Sequence, residues 1–139
     1  SELSRQISKF SPHSLQLLDC NESDLFSLVE SLRVDFPHVN LHAHIADVRD
    51  RVKIAYLISH VRPHIIFHAA AYKHVPMMEA FPEEAVMTNV FGTLSVYEAA
   101  IAAGVEKVVL ISSDKAVRPI SVMGQTKKIA EMLSQAFNN

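Results

Sequence analysis

Asp114 and Lys115 stand side by side just past an apolar run, Lys107 to Ser112, and Lys127 follows on a segment of helical spacing. An adjacent carboxyl and amine tune each other's protonation, so this pair can serve as acid and base toward one substrate. A solvated ion pair is the plainer account of the same two residues. A second polar group, Tyr72-Lys73-His74, comes after the run His64 to Ala69 and the small residues Ala69, Ala70 and Ala71. Small residues let a backbone approach a cofactor closely, and Lys73 with His74 suits an anion such as a sugar diphosphate. A solvated surface loop is the alternative.

Two further carboxylates also follow apolar runs. Asp19 ends the run Leu15 to Leu18, and Asp47 and Val48 follow the weaker run Leu41 to Ile45. Ligands of open α/β sheets bind beyond the carboxyl ends of the strands, where Asp19 can meet an adenosine ribose and Asp47 an adenine amino group. Each can equally cap the helix that comes next.

The elements that must carry these residues alternate. Helical spacing covers residues 3 to 10, 22 to 33 and 50 to 59, a long stretch from Pro82 to about Ala103, and Ser121 to about Phe137. Short continuous apolar runs at 15 to 18, 41 to 45, 64 to 69 and 107 to 112 read as buried strands between them. Pro82 suits a first helical turn and Gly104 a helix end. Strict alternation predicts an α/β fold, a Rossmann-type parallel sheet with helices on both faces, in one domain over residues 1–139. The chain begins on helical spacing, and none of its glycines, Gly92, Gly104 and Gly124, lies in a phosphate-binding turn. The sheet is therefore expected to be incomplete, lacking a first strand that is central in such folds. Without that strand, the first two strands here lose their bridge to the last two. The absent initial Met reads as a cut.

Composition narrows the function. A net charge of -2 gives no basic excess for nucleic acid. One cysteine, Cys20, cannot build a disulfide framework and points to a reducing, cytoplasmic setting. No uninterrupted apolar run approaches the roughly 20 residues that span a bilayer. Eight histidines are many for this length, but no Cys/His spacing matches a zinc site, so no metal is expected. Met77, Met78 and Phe81 suit a core or an interface, and the long helix suits either a subunit interface or packing on the sheet.

The segments HAAAYKHVP, TNVFGT, ISSDKAV and MGQTKK, in this order and spacing, resemble the nucleotide-sugar 4,6-dehydratases of bacterial polysaccharide and glycan biosynthesis, within the extended short-chain dehydrogenase/reductase superfamily. The resemblance runs over essentially the whole chain, less the family's first strand, glycine-rich loop and C-terminal substrate domain. It implies NAD or NADP as cofactor and a UDP-sugar, UDP-N-acetylglucosamine, as substrate. The family handles the sugar hydroxyl and the nicotinamide ribose with a Tyr-x-x-x-Lys pair; here Met123 holds the Tyr position and Lys127 is kept. A thioether cannot accept a proton as a phenolate does. One branch of the family, with large membrane-anchored members, shares this departure, which places a parent at the cytoplasmic face of the inner membrane.

The resemblance assigns Lys115 as base at carbon 5 and Asp114 as acid at the carbon 6 hydroxyl. Asp114, with Ser113 relaying or orienting, would also take the carbon 4 hydroxyl proton in place of a tyrosine. Lys127 would hold the nicotinamide ribose. Asn89 resembles the Asn that steadies this site, with a structural role inside the helix as the alternative. Asp19 leans toward NAD, because its charge opposes a 2′-phosphate. A homo-oligomer is expected, with no activity in the isolated chain. The rivals are a nucleotide-sugar epimerase and a non-catalytic nucleotide-binding module.

Overall fold

The computed structural model describes residues 1–138. Their packing gathers into two compact units, Ser1–Asp47 and Val48–Asn139. The first unit holds α1 (Glu2–Ser8), β1 (Ser14–Asp19), α2 (Glu22–Asp35) and β2 (Asn40–Ile45). β1 and β2 run parallel, from Ser14 opposite Asn40 to Asp19 opposite Ile45. Leu25, Val29 and Leu32 recur at helical spacing and bury one face of α2 against Leu17, with Leu15, Leu28, Phe36 and Leu41 around them. Each fully buried side chain of this kind stabilises the unit by about 1.5–3 kcal/mol. Arg5 of α1 pairs with Asp35 and reaches Ser31, which ties α1 to α2.

The second unit holds α3 (Arg51–Val61), β3 (Ile65–His68), α4 (Val75–Ala80) and α5 (Pro82–Val86), then a π-helical segment (Met87–Gly92) running into α6 (Thr93–Ala103). It continues with β4 (Lys107–Leu110), a 3-10 turn (Asp114–Ala116) and α7 (Val122–Ala136). β3 and β4 run parallel, from Ile65 opposite Lys107 to His68 opposite Leu110. Among the described residues β2 and β3 are not paired, so the chain carries two two-stranded sheets.

Three local expectations change. The stretch from Pro82 to Ala103 is helical throughout, but it widens into a π turn at Met87–Gly92. There the Thr93 and Ser95 hydroxyls donate to the carbonyls of Asn89 and Phe91, at 2.7 and 2.9 Å. This stretch of 22 residues, mean hydropathy 1.2, is long and apolar enough to cross a membrane. Its most apolar window is 56% buried, and its buried Asn89, Thr93 and Ser95 are bonded within the protein, so here it packs as a core helix. Second, the polar segment after β3 leads into a helix, α4, too short for periodicity to reveal, with Pro76 in its first turn. Third, β4 ends at Leu110 rather than Ser112, which frees Ile111 to Ser113 to turn out over the strand ends.

Candidate functional site

A cleft of about 400 Å³ opens beyond the carboxyl ends of β3 and β4. One wall is the chain leaving β3, with Ala69, Ala71, Tyr72, Lys73 and His74. The other is the chain leaving β4, with Ile111, Ser112, Ser113 and Lys115, and α7 adds Met123 and Lys127. Segments far apart in the sequence thus converge because two parallel strands end side by side. The lining includes three lysines and a histidine and no carboxylate, so it favours an anion.

Lys127 is 8% exposed, and its Nζ donates to the Ile111 carbonyl at 2.7 Å. Burial pulls its pKa below the usual lysine value, against the raising influence of Glu131. Lys115 lines the same cleft, with its side chain 52% exposed and its Nζ 3.6 Å from the Asp114 carboxylate. Asp114 itself does not line the cleft; its side chain is 89% exposed. The Ser113 hydroxyl, donating at 3.0 Å, and the Lys115 amine hold its carboxyl below the usual carboxylate range. The expected acid is therefore an exposed anion in this state. The 3-10 turn leaves Asp114 outside the cleft lining and Lys115 at its edge, with the ends of the two side chains 3.6 Å apart.

Met123 is 3% exposed and packs with Met78 and Ala85 while touching the cleft. One residue on, Gly124 lies so close to the 3-10 turn that an added Cβ would meet the Lys115 carbonyl oxygen at 2.6 Å. An isolated glycine inside a helical pattern is the one sequence signal for such a contact. The start of α7 is doubly capped, by the Ser121 hydroxyl accepting from Gly124 N at 3.1 Å and by the Glu79 carboxylate accepting from Val122 N at 2.7 Å. Glu79, which motif reading passed over, thereby fastens α4 to α7.

Asn89 takes the structural alternative. It is 1% exposed, and its carboxamide is spent inside the protein. Its oxygen accepts from Tyr72 N at 2.8 Å, and its nitrogen donates to the Tyr72 carbonyl at 3.1 Å and to Thr126 Oγ1 at 3.0 Å. It offers no free group to a cofactor and instead sets the wall at Tyr72. His68, last residue of β3, is 4% exposed, and its ring meets Thr93 Oγ1 at 2.9 Å. Burial, with the Lys127 amine adding to it, pushes the His68 pKa down to about 4. Thr93 and Thr126 fall within the segments TNVFGT and MGQTKK, but a hydroxyl inside a helix has no spacing that assigns it a role.

The remaining expected residues lie outside the cleft lining. Ala70 is exposed beside Ala69 and Ala71 without lining the cleft. Val48 is 6% exposed and packs against Gly92, where an added Cβ would meet its Cγ2 at 2.6 Å, so its side chain is committed to the core. Asp19 and Asp47 belong to the first unit. Asp19 is exposed and accepts from Asn21 N at 2.9 Å, shaping the turn before α2, while Asn21 is the helix cap. Asp47 is half-buried, and Asp50, three positions on, caps α3. A hollow of about 470 Å³ in the first unit lies at the opposite, amino end of β2, among Arg33, His38 and Asn40. That is the wrong end of a parallel strand for a ligand site.

The residues around the cleft fit the nicotinamide end of a dinucleotide. Ala69 and Ala71 keep one wall close to bare backbone, and Lys127 holds a buried amine on the α7 side. The three glycines serve elsewhere: Gly92 and Gly124 inside helical segments, and Gly104 as the left-handed end of α6.

The chain is similar to known proteins in both sequence and fold. The chain is 51% identical over 134 residues to the probable polysaccharide biosynthesis protein EpsC of Bacillus subtilis, covering 96% of this chain and 22% of that protein. It is 43% identical over 107 residues to a UDP-glucose 4-epimerase of Rickettsia massiliae, covering 77% of this chain and 31% of that one. The chain thus spans well under half the length of these relatives. The X-ray structure of Pen from Bacillus thuringiensis superposes with a TM-score of 0.88 at 34% identity, over 98% of this chain and 41% of that one. The polysaccharide biosynthesis protein family model matches residues 1–139, and the chain belongs to that family.

Proposed function

We propose that this chain forms part of the catalytic domain of an NAD(P)-dependent nucleotide-sugar 4,6-dehydratase, a lyase acting on UDP-N-acetylglucosamine. The observation that carries the reading is Lys115 and Lys127 lining one cleft with Met123, beyond the carboxyl ends of two parallel strands. When bound, the nicotinamide supplies reversible hydride acceptance. Lys127 holds the nicotinamide ribose, and Lys73 and His74 meet the sugar diphosphate.

Proton bookkeeping assigns the remaining roles. Asp114 is held as an anion, so it can take the proton of the carbon 4 hydroxyl that Met123 cannot take. Ser113, already bonded to it, orients the carboxylate. Once Asp114 is protonated its ion pair with Lys115 is gone, and Lys115, having released its ammonium proton to solvent, removes the proton from carbon 5, which the neighbouring ketone acidifies. Asp114, now protonated, returns its proton to the hydroxyl leaving carbon 6; the hydride taken from carbon 4 would then be returned to carbon 6 while Lys115 gives its proton back to carbon 5, which leaves the 4-keto-6-deoxy sugar. One exposed carboxylate at the rim thus serves twice, and it must swing onto bound substrate to do so. The chain alone should be inactive and the complete protein a homo-oligomer. In the full-length protein, Lys115→Ala should abolish formation of the 4-keto-6-deoxy sugar; full turnover in that variant removes the base assignment.

An NAD-dependent epimerase is the second reading, favoured by the name of the Rickettsia relative. Met123 stands against a tyrosine-dependent epimerase. Product analysis with a UDP-sugar separates the two, since only a dehydratase releases water and leaves a 4-keto-6-deoxy sugar.

A further inference from the structure

His68 and Thr93 are buried, at 4% and 1% exposure, and the proposed reaction uses neither. The Thr93 hydroxyl has one proton, and it donates that proton to the Asn89 carbonyl at 2.7 Å. Toward the ring nitrogen His68 Nε2, 2.9 Å away, the same oxygen can therefore only accept. The ring must carry a proton on Nε2. Its burial and the nearby Lys127 amine of α7 disfavour a second proton, so the ring is neutral. From Asn89 the bonds continue to both backbone groups of Tyr72 and to Thr126, whose hydroxyl donates to the Met123 carbonyl at 2.8 Å. Buried groups joined in this way are fully satisfied only in one arrangement.

We infer that His68 is a positioning residue: as an Nε2–H donor it seats Thr93 on the widened turn and so holds Asn89 where its carboxamide pins the Tyr72 peptide at the cleft wall. A link to catalysis rests on the dehydratase reading, but the hydrogen-bond arrangement can be measured without any reaction. Nitrogen-15 spectra of the full chain near pH 6, close to the ordinary histidine pKa, should show a neutral ring with its proton on Nε2. Exchange of the Tyr72 amide should accelerate at least about tenfold in His68→Leu, the loss of one buried hydrogen bond. The Ile111 amide, bonded to the backbone of residue 68, should change little. His68→Gln, which keeps a donor near the Nε2 position, should restore slow exchange at Tyr72. Thr93→Val should reproduce the selective loss and decides the matter if His68→Leu fails to fold. A proton on Nδ1, a charged ring near pH 6, or unchanged Tyr72 exchange in Thr93→Val overturns the inference. Loss of turnover in Lys115→Ala tests the reaction separately, so the two can fail independently.

Discussion

Gly124 of α7 faces the backbone carbonyl of Lys115 so closely that a Cβ at 124 would stand 2.6 Å from that oxygen. A backbone oxygen cannot rotate away as a side chain can. Gly124→Ala would gain about 1 kcal/mol of helix propensity. Overpacking against a fixed backbone costs about 1–3 kcal/mol, so the clash should win. The variant should melt at a lower temperature, and its turnover should fall further than that loss explains, because the 3-10 turn carrying Lys115 is displaced. A rise in melting temperature at full turnover would show that the turn yields freely.

Asn89→Leu should destabilise the protein by about 2–4 kcal/mol, since both backbone groups of Tyr72 and the Thr126 hydroxyl lose a partner. Asn89→Asp keeps the acceptor for Tyr72 N but buries a carboxylate oxygen against the Tyr72 carbonyl, so it should lose at least as much. Urea denaturation of both variants checks the order.

Stability should depend on pH through His68. Its pKa lies at about 4 in the fold against an ordinary 6.5. As pH falls below 6.5 the unfolded chain takes up the proton first, so the contribution is complete above 6.5 and is lost progressively toward about 4. That gap corresponds to on the order of 3 kcal/mol. Unfolding free energies measured between these limits should rise with pH, and His68→Gln should flatten the slope. An unchanged slope in that variant assigns the pH dependence to other groups.

Lys127→Met should separate stability from function. The amine is buried and its pKa is lowered by that burial, so its charge is a cost to the fold. The Ile111 carbonyl it meets belongs to a residue 38% exposed, where water can replace the amine. Stability should therefore change by less than about 1 kcal/mol or rise, while cofactor binding and turnover are lost. Calorimetry with NAD on the full-length protein reads the binding.

Much of the architecture was legible in the sequence because it depends on local rules. The alternation of apolar runs and helical spacing predicted the position of each described strand but not its burial, since Leu18, Ile45, Ile65 and Phe67 are exposed, and the left-handed cap at Gly104 ends α6 as expected. The separation of β1–β2 from β3–β4 was also legible. Short elements were not: α4 is briefer than a hydrophobic period can show, and a π turn leaves the same residue types on a helix as an α turn does.

At the candidate site, composition and order alone placed lysines and small residues at strand ends, since side-chain chemistry and chain position are local facts. Which groups face the cleft was decided by packing. Asp114 and Lys115 are neighbours in the chain with side-chain ends 3.6 Å apart, yet only Lys115 belongs to the cleft lining, on a 3-10 turn packed against Gly124. Asn89 and Tyr72 are distant in the chain, yet they are joined by two hydrogen bonds that only a folded backbone can bring within reach. Hydrogen bonds act over a few ångströms, so the partners of a buried polar group are a property of the tertiary structure, while the identity of that group belongs to the sequence.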